Sequence, residues 1–338
     1  MSRRGLATAA GAALALALAS VGLVWDHARG DALSADEPVH ILSGYFEVSG
    51  RTAIVNIEHP PLAKMLAGLS LATLDLPPAP AQVPMGNGFT DFGHAFLFEN
   101  RVSPDAIAAA ARRPFRWLLG GLVVLVFAAG LGRYGAGPAL FAAALVALDP
   151  NFLAHAGVVH TDVAASLGFL ATVVAWNRAQ EQPTAMRLAV TALALGATLA
   201  TKFSAVYLLP ILALQALLGA RRAERPGRAA LRSLGRLALV SVGAIAVVFA
   251  VYAAVTTRMN EADQRQIIWE SVGERGAPGL ARAIQRVAEI SPPLGHYLGG
   301  LAYVARQNAV GGGINFLAGK TSITGFPSYF LVAFLVKS

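Results

Sequence analysis

Runs of about twenty residues without a charge constrain this chain more than any other feature of it. After Ser2-Arg3-Arg4, no charged residue occurs from Gly5 to Trp25. About 20 helical residues at ~1.5 Å each cross the ~30 Å hydrocarbon core of a bilayer. A basic start followed by Ala and Leu is also the pattern of a secretory leader. Further runs of the same kind favour a first span, and on either reading the segment that follows is exported. Composition agrees: 55% of the 338 residues are hydrophobic and 14% are charged, against about 25% charged in soluble domains. The chain has no cysteine, which excludes disulfide scaffolds, thiolate metal sites and cysteine nucleophiles.

The remaining runs define an all-α polytopic membrane protein. From Asp26 to Arg113 there are ten acidic and six basic residues, a hydrophilic loop on the outer side, and the second span follows at about 115–131. Between Gly135 and Asn177 the only charges are Asp149 and Asp162. Two spans, about 136–149 and 163–177, fit that length, with an outer turn between them at Asp149-Pro150-Asn151, where Pro150 disfavours helical geometry at Asp149. The 32 residues from Leu188 to Gly219 hold one charge, Lys202. The segment from Arg221 to Arg236 holds six arginines and one glutamate, and such clusters stay cytoplasmic. Parity then requires Leu188–Gly219 to cross twice, as spans 188–200 and 203–219 with Thr201-Lys202 at the outer end. That placement also keeps the lysine out of the bilayer centre, where it costs roughly 2.5 to 3.5 kcal/mol on insertion scales. Residues 237–255 return outward. A second outer loop, 256–325, carries mixed charge, short amphipathic helices and a Gly311-Gly312-Gly313 bend. An eighth span starts near Phe326 with only 13 residues left before the end, too few to cross, so a chain short at its C-terminus is expected.

Four polar strings fall on the outer side in this topology: Asp36-Glu37, His59-Pro60-Pro61-Leu62-Ala63-Lys64, His160-Thr161-Asp162 and Thr201-Lys202. Each also has a plain structural explanation. Ser34-Ala35-Asp36-Glu37 reads as a helix capping box. His59-Pro60-Pro61 can start an interfacial helix, since proline is tolerated in a first turn. Lys202 can snorkel from a helix end to water. Arg112 and Arg113 can anchor the second span.

Taken together, the strings resemble the protein O-mannosyltransferases and their bacterial relatives in the GT-C class of glycosyltransferases. The resemblance rests on Asp36-Glu37, on Asn56 through Leu66 with its His-Pro-Pro-Leu-Ala-Lys core, on Asp149-Pro150-Asn151 leading to His160-Thr161-Asp162, on Ala200-Thr201-Lys202-Phe203-Ser204, and on Gly325-Phe326-Pro327-Ser328-Tyr329-Phe330. It implies a GT-C-type helical bundle with outer interfacial helices in the first loop. It also implies an enzyme in a bacterial inner membrane, with an extracytoplasmic site. That enzyme moves a monosaccharide from a polyprenyl-phosphate carrier to an acceptor protein, lipid or glycan, inverting the anomeric carbon. Asp36 is then the base that deprotonates the acceptor, Glu37 supports it, and Asp162 orients acceptor or sugar. Cations are needed where charge builds on the leaving phosphate; Lys64, Lys202, Arg112 and Arg116 are the candidates. His59, Pro60, Pro61 and His160 shape the site. No nucleotide cofactor is expected at that face. No resident metal is expected either, because the donor carries a single phosphate.

Other motifs do not hold up. Gly313 to Thr321 is one residue too long for a phosphate-binding glycine loop, His155 and His160 are five apart rather than four, and no His-Glu-x-x-His or Gly-x-Ser-x-Gly string occurs. The arginines of 221–236 read as a topology anchor against anionic lipid rather than a nucleic-acid surface. The competing classes are a transporter or channel, which would place charge near mid-bilayer, and a non-catalytic shortened relative.

Overall fold

Ser2 begins the architecture by accepting the Gly5 N–H at 3.1 Å, which caps α1, Arg3–His27. The computed structural model describes residues 2–28, 30–49, 56–78, 88–257, 259–310 and 314–337. Three short helices follow α1 in the first hydrophilic segment: α2 (Glu37–Ser49), α3 (Pro61–Leu71) and α4 (Gly88–Phe98). Helices α2 and α3 cross with their backbones in contact at Gly44 and Gly68. A Cβ on Gly44 would fall on the Lys64 carbonyl, and one on Gly68 on the Gly44 carbonyl.

The long helix α5, Pro104–Tyr134, starts well before the 115–131 span read from hydropathy, because Ser103 caps it and Pro104 occupies its first turn. Arg112, Arg113 and Arg116 therefore sit on the helix itself. It ends at Gly135, whose φ of +83° favours glycine. Next come α6 (Ala136–Leu148) and α7 (Pro150–Ala156), bent by 55° at Asp149. The Asp149 carboxylate caps α7 through the Asn151 and Phe152 N–H groups, so part of the expected outer turn is a helix.

Then α8 (Asp162–Glu181) and α9 (Ala185–Leu199) lead through Thr201-Lys202 into a 3₁₀ turn, Phe203–Tyr207, continued by α10 (Leu208–Ala220). The last long helix, α11, runs Pro226–Thr256. Close packing of α9 on α11 depends on Gly196, where a Cβ would lie 2.7 Å from the Ala244 carbonyl.

Among the described residues, four helices are long and apolar enough to cross a membrane, and the bent α6–α7 pair counts as a fifth if it is one span. Helix α9, at 15 residues, is shorter than the ~20 that a perpendicular span needs. Helix α8 has the length but ends in Asn177, Arg178, Gln180 and Glu181. The segment after α11 folds into α12 (Glu261–Ile268), a π-helical turn (Trp269–Gly273), α13 (Pro278–Ile290) and α14 (Pro292–Val310). The Gly311-Gly312-Gly313 bend lies outside the described residues. Beyond it, β1 (Asn315–Leu317) pairs antiparallel with β2 (Lys320–Ser322), so the glycine-containing string there is a hairpin with Ala318 and Gly319 at its turn. The nine residues of α15, Tyr329–Lys337, are too few to span.

Candidate active site

The site is built on a buried ion pair between the first loop and α5. The Glu37 carboxylate, fully buried, accepts two charge-assisted hydrogen bonds from Arg112, Nε to Oε1 at 2.8 Å and Nη2 to Oε2 at 2.7 Å. It also accepts the backbone N–H groups of Ser34 (2.8 Å) and Val159 (3.0 Å). The Ser34 contact is one half of the capping box expected from the sequence. Burial alone would raise the Glu37 pKa, but Arg112 and the two amides outweigh it and hold the group below its usual value. Arg112 gives its remaining hydrogens to the carbonyls of Ala28, Asp31 and Ala32. This one pair ties the end of α1, the start of α2, α5 and the loop before α8.

Asp36, one residue earlier, is turned to solvent; its side chain is 72% exposed. Its Oδ2 lies 4.0 Å from Nε2 of His160, whose Nδ1 lies 2.9 Å from Oδ2 of Asp162. Asp162 starts α8 and also contacts the Lys202 ammonium and, at 3.4 Å, His155 Nδ1. His160 above all, and then Lys202 against the opposing effect of burial, hold the Asp162 carboxyl well below the ordinary range. The hairpin carrying Lys202 is bound to the first loop by the Leu62 N–H, which donates to the Ala200 carbonyl at 3.0 Å. Three segments distant in sequence thus bring Asp36, His160, Asp162 and Lys202 to one place.

Behind this row lies a histidine cluster. The ring of His40 is 5.0 Å from that of His59 and 5.5 Å from that of His160. Burial, then neighbouring positive charge, pushes His40 down to about 2 and His59 down to about 4, so both are neutral near pH 7. His59 also donates its backbone N–H to Asn56 Oδ1, Pro60 precedes α3 in extended geometry, and Pro61 opens it. Glu58 beside it is half-buried; burial and then the charge of Asp36 raise its pKa.

Three of the four cations read from sequence as phosphate ligands are placed otherwise. Lys64 is buried under the α2–α3 crossing, 2.7 Å from Glu47 Oε1 and 2.8 Å from the Asn56 carbonyl. Burial pushes Glu47 up to about 7 against the pull of Lys64. Arg112 has spent its donors on Glu37 and the loop. Arg116 is buried with its guanidinium 4.6 Å above the Trp25 ring. Lys202 differs, being 29% exposed and lining an open cleft of about 490 Å³. The cleft is lined by the polar side chains of His155, Asp162 and Lys202 and the apolar ones of Phe152, Val163 and Phe169. Phe330, from the late aromatic string, remains exposed to solvent.

Sequence reasoning missed His40 and passed over His155. His40 had a readable signal: Glu37, His40, Gly44 and Glu47 recur at helical spacing on the buried face of α2. His155 has none at zincin spacing, because the turn after α7, and not a single helix, brings it to Asp162. Ligand atoms of His155, His160 and Asp162 lie within 4.8 Å of one another, close enough to share a cation. The Lys202 ammonium already fills the cationic position beside Asp162.

The family described as Dolichyl-phosphate-mannose-protein mannosyltransferase matches residues 55–257, from just before Asn56 to the end of α11. That segment contains the His59–Lys64 string, His160, Asp162 and Lys202, and excludes Asp36 and Glu37. No curated protein matches the chain.

Proposed function

The chain belongs to the dolichyl-phosphate-mannose-protein mannosyltransferase family, and on that basis we propose a specific transfer reaction for it. The enzyme is a membrane-embedded glycosyltransferase, and the reaction moves mannose from a polyprenyl-phosphate carrier to an acceptor hydroxyl on the extracytoplasmic face of a bacterial inner membrane. Asp36 takes the proton from the acceptor hydroxyl. The acceptor oxygen bonds to the anomeric carbon as the bond from that carbon to the phosphate oxygen breaks, its electron pair leaving with the phosphate. Attack from the face opposite the phosphate inverts the centre. Lys202 stabilises the negative charge that grows on the leaving phosphate, and Asp162 with His160 holds Lys202 at the cleft. The apolar side chains of Phe152, Val163 and Phe169 suit the first isoprene units of the carrier.

One observation carries this reading: an exposed carboxylate, Asp36, faces a carboxylate–lysine pair across a single imidazole, and that pair lines a cleft with both polar and apolar side chains. Sidedness is supported by the six arginines of 221–236, which follow the opposite end of the same helices and stay cytoplasmic. The test is to incubate the purified full chain in lipid with radiolabelled polyprenyl-phosphate sugars and Ser/Thr peptides, following label into peptide, lipid and glycan. Mannose in the peptide fraction supports the proposal. Label that stays on the carrier with every acceptor rejects it.

A further inference from the structure

A second cavity lies at the far end of α8 from the candidate active site. Gln180 is 18 residues beyond Asp162 on one helix, which at ~1.5 Å per residue places it about 27 Å away, near the thickness of a bilayer core. The cavity, about 740 Å³, forms where the ends of α5, α8 and α10 meet the start of α11. Arg133, Arg222 and Arg236 line it, against one acidic residue, Glu181, which lies 3.9 Å from Arg133.

Its buried polar atoms set it apart from an ordinary arginine anchor. Trp176 is fully buried, yet its indole Nε1 has no hydrogen-bond partner among the described residues. The Gln180 side-chain oxygen accepts from Ser233 Oγ at 3.0 Å and Arg236 Nη1 at 3.5 Å. Because arginine only donates, this fixes the amide with its NH₂ group turned away from Arg236, and that nitrogen too is buried without a partner. The Gln215 carbonyl oxygen is a third such atom. Arginines that merely hold topology need no buried indole N–H beside them, and each unmet buried group costs about 1–3 kcal/mol. Two orphan donors, three guanidinium groups and one orphan acceptor form a complementary set for a phosphate ester that also carries a hydroxyl.

We propose that this cavity binds the phosphate of an anionic glycerophospholipid headgroup from the cytoplasmic leaflet. Phosphate oxygens take the Trp176 and Gln180 hydrogens and the arginine charges, and a headgroup hydroxyl donates to Gln215. The site is separate from the transfer chemistry and does not depend on it.

The test is native mass spectrometry of the full chain in detergent, with phosphatidylglycerol as probe and phosphatidylcholine as the zwitterionic control. The wild-type protein should retain phosphatidylglycerol preferentially. Trp176→Phe, which removes the N–H and keeps the ring, should weaken retention about fivefold or more, and the Arg222→Gln/Arg236→Gln double variant by more still. Inorganic phosphate and glycerol 3-phosphate are added as competitors. Displacement of the lipid by either identifies a soluble phosphate as an alternative source of the same chemistry, and failure to displace it identifies the lipid. Equal retention of phosphatidylglycerol by wild type and both variants overturns the proposal, as does equal retention of the two lipids by the wild type.

Discussion

Arg112 grips Glu37 through two parallel N–H···O bonds, both partners almost wholly removed from solvent. In that position the arginine has all its donors engaged by Glu37 and the carbonyls of Ala28, Asp31 and Ala32. Arg112→Ala should therefore strand the Glu37 carboxylate and cost about 3–5 kcal/mol of stability, the usual penalty for breaking a buried pair. Thermal unfolding in detergent measures it. A variant with normal stability and a raised KM for the donor would instead return Arg112 to the phosphate.

Lys202 should behave in the opposite way. Because it is partly exposed where it lines the cleft, Lys202→Ala should leave the unfolding temperature nearly unchanged and reduce kcat/KM at least ~100-fold, the scale of one lost electrostatic stabiliser of a developing anion. Steady-state kinetics with a polyprenyl-phosphate sugar checks this; wild-type rates would remove Lys202 from the reaction.

Acid should destabilise the protein from about pH 6.5 downward. His40, His59 and His296 have folded pKa values depressed by burial, to about 2, about 4 and about 4. The unfolded chain binds their protons near pH 6.5 and the folded chain does not. The stability they give is present above 6.5 and is lost as pH falls from there toward 4. Glu47, raised by burial to about 7, works the other way between 7 and 4.5 and offsets one of the three. Unfolding temperature measured from pH 7.5 to 4.5 should fall, and His40→Gln should flatten the fall. A flat wild-type profile contradicts the buried neutral cluster.

The α2–α3 crossing leaves no space at either glycine. Gly68→Ala sets a methyl on the Gly44 carbonyl and should destabilise by more than the ~1–3 kcal/mol of ordinary overpacking, since backbone and not side chain must move. Yield of folded protein after detergent extraction measures it; wild-type yield and unfolding temperature would show that the helices can separate freely.

Legibility in the sequence followed the physics of each element. Helices α1 and α11 were readable because long apolar runs have one outcome in a bilayer. The span at 115–131 lies inside α5, and the earlier start of the helix is written in Ser103-Pro104-Asp105, a cap, a first-turn proline and a first-turn acid. The convergence of Asp36, His160, Asp162 and Lys202 could be anticipated from sidedness alone. Which cations remain available could not, because Lys64 finds Glu47 and Arg112 finds Glu37 only through tertiary packing. A lysine bound for a buried carboxylate and one bound for a phosphate have the same letter.

The account rests on Asp36 as the proton acceptor, and turnover of Asp36→Asn tests it most directly. The amide keeps the shape and removes the base, so transfer from a labelled polyprenyl-phosphate sugar should fall at least ~100-fold while donor binding, measured on the same preparation, stays within a few-fold of wild type. Turnover near the wild-type rate would contradict the account.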